Sequence, residues 1–339
     1  MIKAAVLGLG WWGKHIVGCL QDSKRIHITH VVEPNLKAAA EFSAAHDFIL
    51  TDDYPSVLDH PAIDAVIITT PNLLHEEQVL AAAAAGKHAF CEKPLALKAA
   101  AAERMLAACD EKSLCLGIGH ERRFEDALEE MKRMADSGEL GKLLHYEVNA
   151  SYNLFVGAPE DDWRQDPAQS PAGLMTALGV HQTDYMQTIL GPVREVQARL
   201  THRSASYPKE DVLSIQFVFK SGVIGNFNSI ATTPFYQRMT LFGDRGWVEL
   251  RETANVDKPD PSLLTWRGMD NEIHTQTYER TDTVTQNLYA WADAVEGKGA
   301  YRFTPQELLH NVEILEAIVT SAATGKPQLI GAFNERQEN

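Results

Sequence analysis

Apolar positions in the first 120 residues come in short unbroken runs, and the stretches between them are helical in character. Ile2–Gly8 is apolar apart from Lys3 and ends in glycine. Ile26–Glu33 alternates apolar and polar positions and ends in an acid. Asp64–Thr70 holds Ala-Val-Ile-Ile, and His88–Cys91 and Cys115–Gly119 are further short runs. Between them lie Trp11–Gln21, Leu36–Ala45, Leu73–Ala85 and Ala99–Glu111, three of them rich in alanine, the strongest helix former. Short unbroken apolar runs read as strands buried on both faces. Strand and helix in alternation predict an α/β domain with a doubly wound parallel sheet.

After about residue 120 the pattern changes. A helix is predicted over Phe124–Ala135, stopped by Ser137-Gly138, then a strand over Leu143–Tyr152. Leu154–Pro171 is a long polar connection with several prolines and acids, followed by a helix over Gly173–Leu190. Strand-type runs follow at Val193–Thr201, Asp211–Phe219, Val223–Ile230, Arg238–Phe242, Trp247–Leu250, Leu263–Trp266 and Glu272–Tyr278. Turn residues such as Lys220-Ser221-Gly222 and Gly243-Asp244-Arg245-Gly246 separate them, as in hairpin-linked antiparallel strands. Helices over Thr283–Glu296 and Pro305–Thr324 close the chain, the second with Thr304 and Glu307 spaced as a capping box.

A length of 339 residues fits two domains at roughly 100–200 residues each, with the break near residue 120. The net charge is −15, from 46 acids against 31 Lys and Arg. Such a surface repels phosphate backbones and anionic membranes, so nucleic acid and membrane are not expected partners. No apolar run is long enough to span a bilayer, and the N-terminus does not read as a signal peptide. Four cysteines with no Cys-x-x-Cys spacing predict a reducing, cytoplasmic setting and no structural metal.

The strongest chemical signal is Gly8-Leu9-Gly10-Trp11-Trp12-Gly13, between the first predicted strand and helix. Its glycines suit a tight turn, a close approach to pyrophosphate and close helix–strand packing. The free N–H groups of the helix start then favour the phosphate anion. Glu33 ends the next strand, where an acid holds ribose hydroxyls and repels a 2′-phosphate, which favours NAD over NADP. Thr70-Pro71-Asn72, with His75, lies at the carboxyl end of the Ala65–Thr70 strand, where ligands of open α/β sheets bind. Asn72 would otherwise be only a helix cap. Glu92-Lys93-Pro94 directly follows another strand, and Lys93 there could stabilise an alkoxide. His181 and Asp184 are three apart on a predicted helix, and a neutral histidine can accept a proton near pH 7.

Taken in order, these motifs resemble the Gfo/Idh/MocA oxidoreductase family: Gly8-x-Gly10-x-x-Gly13, Thr70-Pro71-Asn72-x-x-His75, Gly86-Lys87-His88-x-x-Cys91-Glu92-Lys93-Pro94, Gly119-His120-x-x-Arg123-Phe124 and Gly179-x-His181-x-x-Asp184. Phe242-Gly243-Asp244-Arg245-Gly246 and the Ile314-to-Lys326 pattern extend the likeness over nearly the whole chain. The resemblance implies a Rossmann domain over residues 1–120 and a substrate-binding, oligomerising α+β domain over 121–339 built on a large open antiparallel sheet. The last helices could pack back on the first domain. It implies a nicotinamide cofactor at Gly8, Gly10, Trp11, Trp12, Gly13, Glu33, Thr70, Pro71, Asn72, His75, Glu92 and Lys93. Trp163 and Arg164 match a pair that lies near the cofactor in some relatives. The substrate would lie over the nicotinamide between the domains, with Lys93 on its hydroxyl and His181 as acid/base. His120, Tyr152 and Arg164 are candidates for supporting substrate contacts. A cis bond before Pro94 and a homodimer or homotetramer through the sheet are also implied.

One departure stands out. Many relatives carry aspartate four residues before the helix histidine, where this chain has Ala177. His181 would then be oriented by Asp184 or by a residue of the 154–170 connection. The expected activity is hydride transfer between a secondary alcohol of a sugar, cyclitol or related polyol and NAD. Two alternatives stay open: NAD-assisted elimination or glycoside hydrolysis through a keto intermediate, and a non-enzymatic NAD(P)-binding sensor.

Overall fold

A computed structural model describes residues 1–159, 162–205, 207, 209–255 and 258–331. The chain folds into two compact units, Met1–Glu121 with Asp282–Leu309, and Arg122–Thr281 with the chain from His310 onward.

The first unit is built on six strands: β1 (Ile2–Leu7), β2 (Ile26–Val32), β3 (Ile49–Thr51), β4 (Ala65–Ile68), β5 (His88–Cys91) and β6 (Leu116–Ile118). They pair in the order β3-β2-β1-β4-β5-β6, all parallel. The chain reverses direction of travel across the sheet between β1 and β4, which opens a crevice at their carboxyl ends. Helices α1 (Trp11–Leu20), α2 (Leu36–Ala44), α3 (Tyr54–Asp59), α4 (His75–Ala84) and α5 (Ala99–Glu111) make the crossovers. Strands β1 and β4 are fully buried along Ala4–Leu7 and Ala65–Ile68, which explains their unbroken apolar runs.

The hydrophobic pattern does not announce β3 and α3. Three residues with Ile49 60% exposed are too few for an alternating pattern to show. The closing part of the chain contributes α6 (Asp126–Asp136), α7 (Val180–Leu190), α8 (Thr283–Val295) and α9 (Pro305–Thr324). Of these, α8 belongs to the first unit, where Leu288, Trp291 and Ala292 are buried in the core beside α1. Trp291 meets Phe90 edge-on at 5.6 Å. The capping box ahead of α9 forms: the Thr304 amide donates to Glu307 Oε2 at 3.0 Å, and the Glu307 amide to Thr304 Oγ1 at 3.2 Å.

The second unit holds a nine-stranded sheet: β7 (Leu143–Ser151), β8 (Val193–Thr201), β9 (Val212–Phe219), β10 (Ile224–Ile230), β11 (Tyr236–Gly243), β12 (Trp247–Glu252), β13 (Ser262–Arg267), β14 (Ile273–Tyr278) and β15 (Gln328–Leu329). The order is β14-β13-β12-β11-β7-β10-β9-β8-β15. Every pairing is antiparallel except β7 with β10, which run parallel with Ile224 opposite His145. Hairpin signals in a sequence report only neighbours along the chain, so this non-local parallel pair leaves no mark there.

Two local expectations change. The helix predicted over Gly173–Leu190 is a π-helical turn over Met175–Gly179 followed by α7 from Val180. The helix predicted from Phe124 begins at Asp126, after a 3₁₀ turn over Glu121–Phe124. Among the described residues no helix is long and apolar enough to cross a membrane, and no group of three His, Cys, Asp or Glu side chains is placed to hold a metal ion.

Candidate active site

The glycine loop follows β1 and leads into α1. Gly13 could not be another residue: a Cβ there would lie 2.2 Å from the Gly8 carbonyl oxygen. At Gly10 a Cβ would meet nothing within 4 Å, so the loop's outer side is open. Gly10 caps α1 with no side-chain hydrogen bond, and the first turn holds no acid. Open backbone amides at a helix start are what a pyrophosphate requires.

Glu33, just past β2, faces this loop. Its carboxylate accepts from the Leu9 amide at 2.8 Å and from the Asn35 amide at 3.0 Å. The acid therefore holds the glycine loop in shape from the neighbouring strand. Trp11 is 59% exposed and stacks on His15, whereas Trp12 is half-buried against the core. A dinucleotide fits this set of groups: an open glycine cradle, a helix start without a competing acid, and a carboxylate one strand over.

The turn after β4 is held from behind. Thr70 Oγ1 donates to Gln78 Oε1 at 2.6 Å. Asn72 is buried and opens a 3₁₀ turn over Asn72–Leu74 instead of capping the helix, because the Leu74 amide donates to the Pro71 carbonyl at 2.9 Å. The α-helix itself begins at His75. His75 is fully buried, with Nδ1 2.9 Å from the Pro94 carbonyl oxygen and Nε2 3.1 Å from the Thr70 carbonyl oxygen. Burial pushes its pKa down.

Glu92 and Lys93 come straight off β5, and the Lys93–Pro94 peptide is cis. Lys93 is half-buried; Glu92 is buried and accepts from the Lys93 amide at 3.2 Å. The Glu92 carboxyl lies flat on Gly119, where a Cβ would come within 2.4 Å of it, so that glycine makes room for the acid. Burial pushes Glu92 up to about 7, while the Lys93 charge and the Lys93 amide hydrogen bond pull it down. His120, next to Gly119, is buried beside the Phe303 ring.

The second unit carries the other expected residues. His181 is buried in the first turn of α7. Asp184, expected to orient it, instead accepts from Arg123: Nε to Oδ2 at 2.7 Å and one guanidinium NH₂ to Oδ1 at 2.7 Å. Ala177 packs at the edge of an apolar cluster of Phe155, Leu174, Tyr207 and Ala231. Tyr152 is half-buried and meets Phe235 edge-on at 5.4 Å. Arg164 stacks over Trp163 at 4.5 Å and pairs with Asp162 at 3.3 Å. Lys209 Nζ donates to the Arg164 carbonyl at 2.7 Å.

Gln78 in the first unit, and Arg123 and Lys209 in the second, meet their partners only in the folded chain. Arg123 has a sequence signal, since it lies in the Gly-His-x-x-Arg-Phe motif. Gln78 and Lys209 have none, because they reach their partners only through the fold.

Comparison with known proteins finds matches for both parts of the chain. The family model described as "Oxidoreductase family, NAD-binding Rossmann fold" matches residues 2–120, and "GFO/IDH/MocA C-terminal domain" matches residues 128–249. The chain is 29% identical over 342 residues to scyllo-inositol 2-dehydrogenase (NAD(+)) of Bacillus subtilis, covering 96% of this chain and 95% of that one. It is 29% identical over 272 residues to D-xylose 1-dehydrogenase (NADP(+)) 2 of Haloferax volcanii, covering 80% and 82%. Levoglucosan dehydrogenase in complex with NADH shares the fold at a TM-score of 0.84 and 20% identity, covering 97% of this chain and 99% of that one. On sequence motifs, sheet topology and both matched domains, the chain belongs to the Gfo/Idh/MocA family of NAD(P)-dependent oxidoreductases.

Proposed function

We propose that this oxidoreductase acts on a secondary alcohol of a sugar, cyclitol or related polyol and prefers NAD to NADP. The observation that carries the reading is Lys93 at the carboxyl end of β5, in the same unit as an open glycine loop. The bound nicotinamide supplies the hydride acceptor. Lys93, held by its backbone, stabilises the alkoxide that forms as hydride leaves the carbinol carbon. His181 takes or relays the hydroxyl proton. Glu33 supports the NAD preference, because a carboxylate at that point repels a 2′-phosphate. Thr70, Asn72 and the glycine loop bind the dinucleotide, with Trp163 and Arg164 beside it; His120, Tyr152 and Arg164 contact the substrate.

We further propose a homo-oligomer formed through one face of the nine-stranded sheet. Lateral pairing puts Ile224, His145, Phe242, Trp247, Arg267 and Ile273 in one row on one face. Ile224 is 43% and Ile273 64% exposed, and with Phe242 and Trp247 they make two thirds of this row apolar, of the kind subunit contacts cover. The free thiols of Cys19, Cys91, Cys109 and Cys115 support a cytoplasmic setting.

The test is a panel of sugars and cyclitols with NAD and with NADP, read by NADH or NADPH absorbance. Reduction of NAD by at least one polyol, faster than of NADP, is the expected result. Absence of reduction by every member, with dinucleotide bound, would overturn the dehydrogenase reading.

A further inference from the structure

His75 touches two motifs at once. Its Nε2 faces the Thr70 carbonyl, in the turn after β4, and its Nδ1 faces the Pro94 carbonyl, directly after Lys93. The same helix turn holds Thr70 a second time, through Gln78. On the other side of Lys93, the Glu92 carboxyl accepts from the Lys93 amide. The backbone around Lys93 is thus fixed before and after the residue, and one of the two fixings runs to the cofactor turn.

With its ring fully buried, His75 has no solvent-facing edge for direct ligand contact. We propose that His75 is a positioning residue that couples the cofactor turn at Thr70 to Lys93 through the Pro94 peptide. A neutral imidazole carries one N–H and can donate to one of the two carbonyls at a time. Its two tautomers are therefore two discrete arrangements, one tied to each motif, as a coupling element requires. Burial keeps the ring neutral, and the charged group that faces it, Lys93, acts in the same direction. Displacement of the Thr70 carbonyl by a docking dinucleotide shifts this balance and changes how firmly Pro94, and with it Lys93, is held. This inference rests on the cofactor reading of the glycine loop.

Amide hydrogen exchange on the full chain, with and without NAD, tests it without needing turnover. In the native protein NAD slows exchange at residues 8–13 and at 92–98. In His75→Leu, which fills the space without ring nitrogens, the slowing at 8–13 remains. At 92–98 it falls by about tenfold or more, because cofactor binding no longer opposes local opening of that segment. His75→Gln keeps a donating NH₂ group and restores part of it. Equal slowing at 92–98 in the native protein and His75→Leu overturns the coupling; should His75→Leu fail to fold, equal slowing in the native protein and His75→Phe, which keeps a ring without its nitrogens, does so. Slowing at 8–13 alone in the native protein also overturns it, while slowing nowhere overturns the cofactor reading and the coupling together.

Discussion

Arg123 grips Asp184 with two hydrogen bonds of 2.7 Å, and both side chains are out of solvent. Asp184 lies one helical turn beyond His181 on α7, so this pair fixes the turn that carries the proposed acid/base residue. Removing one partner leaves the other charged and buried, a loss of about 3–5 kcal/mol. Arg123→Ala and Asp184→Ala should each lower the unfolding free energy measured in urea by that amount. The double replacement by apolar residues of similar size should lose less than the sum. Full additivity would show that the two groups act independently.

Lys93→Met removes the ammonium and keeps the length of the side chain. Turnover should fall by about a hundredfold or more, as for loss of a group that stabilises developing negative charge. NAD binding, followed by quenching of Trp11 and Trp12 beside the glycine loop, should stay within about threefold. Undiminished turnover would remove Lys93 from the chemistry.

Glu33 has two tasks that a single variant separates. Glu33→Gln keeps an acceptor for the Leu9 amide but drops the charge that repels a 2′-phosphate. The ratio of kcat/KM for NAD over NADP should fall by about tenfold with the fold intact. Glu33→Ala should in addition weaken binding of both cofactors, because the Leu9 amide loses its partner. An unchanged ratio in Glu33→Gln would move cofactor choice elsewhere.

Glu92 makes stability depend on pH. Its folded value of about 7 lies above the ordinary 4.5, so between those values the folded state holds the extra proton. Stability therefore falls as pH rises through this window, by about 3 kcal/mol if Glu92 acted alone. Glu252, also raised to about 7 mainly by burial, adds a slope of the same sign. His75, which burial lowers, adds the opposite slope below its ordinary 6.5, so the test is the difference from Glu92→Gln: between pH 5 and pH 8 the native urea midpoint should fall relative to the variant's. A constant difference between the two curves over this range would contradict the assignment.

Trp247→Asp places a charge in the middle of the cross-strand row of the large sheet. Sedimentation should show the native chain as an oligomer and this variant as a smaller species. A native monomer would refute the proposed interface.

Much of the first unit is legible in the chain itself. Strands buried on both faces leave unbroken apolar runs, and the glycine loop needs glycine where a Cβ would strike Gly8, so both leave marks at fixed spacing. The capping box ahead of α9 is readable for the same reason, because its two hydrogen bonds join residues three apart. The cis Lys93–Pro94 bond is expected only through the family resemblance and is present.

Sequence by itself determined what depends on neighbours along the chain: the alternation of strand and helix, the phosphate-binding turn, the Glu-Lys-Pro and His-x-x-Asp motifs. Tertiary structure decided what depends on partners far apart in sequence. It paired β7 with β10 in parallel, took Asp184 away from His181 and gave it to Arg123, and buried Glu92 under Gly119. It also turned His75 inward onto two carbonyls. A carboxylate or an imidazole looks the same in a sequence wherever it is buried. Its partner and its protonation are set by which distant groups the packed core brings within about 3 Å.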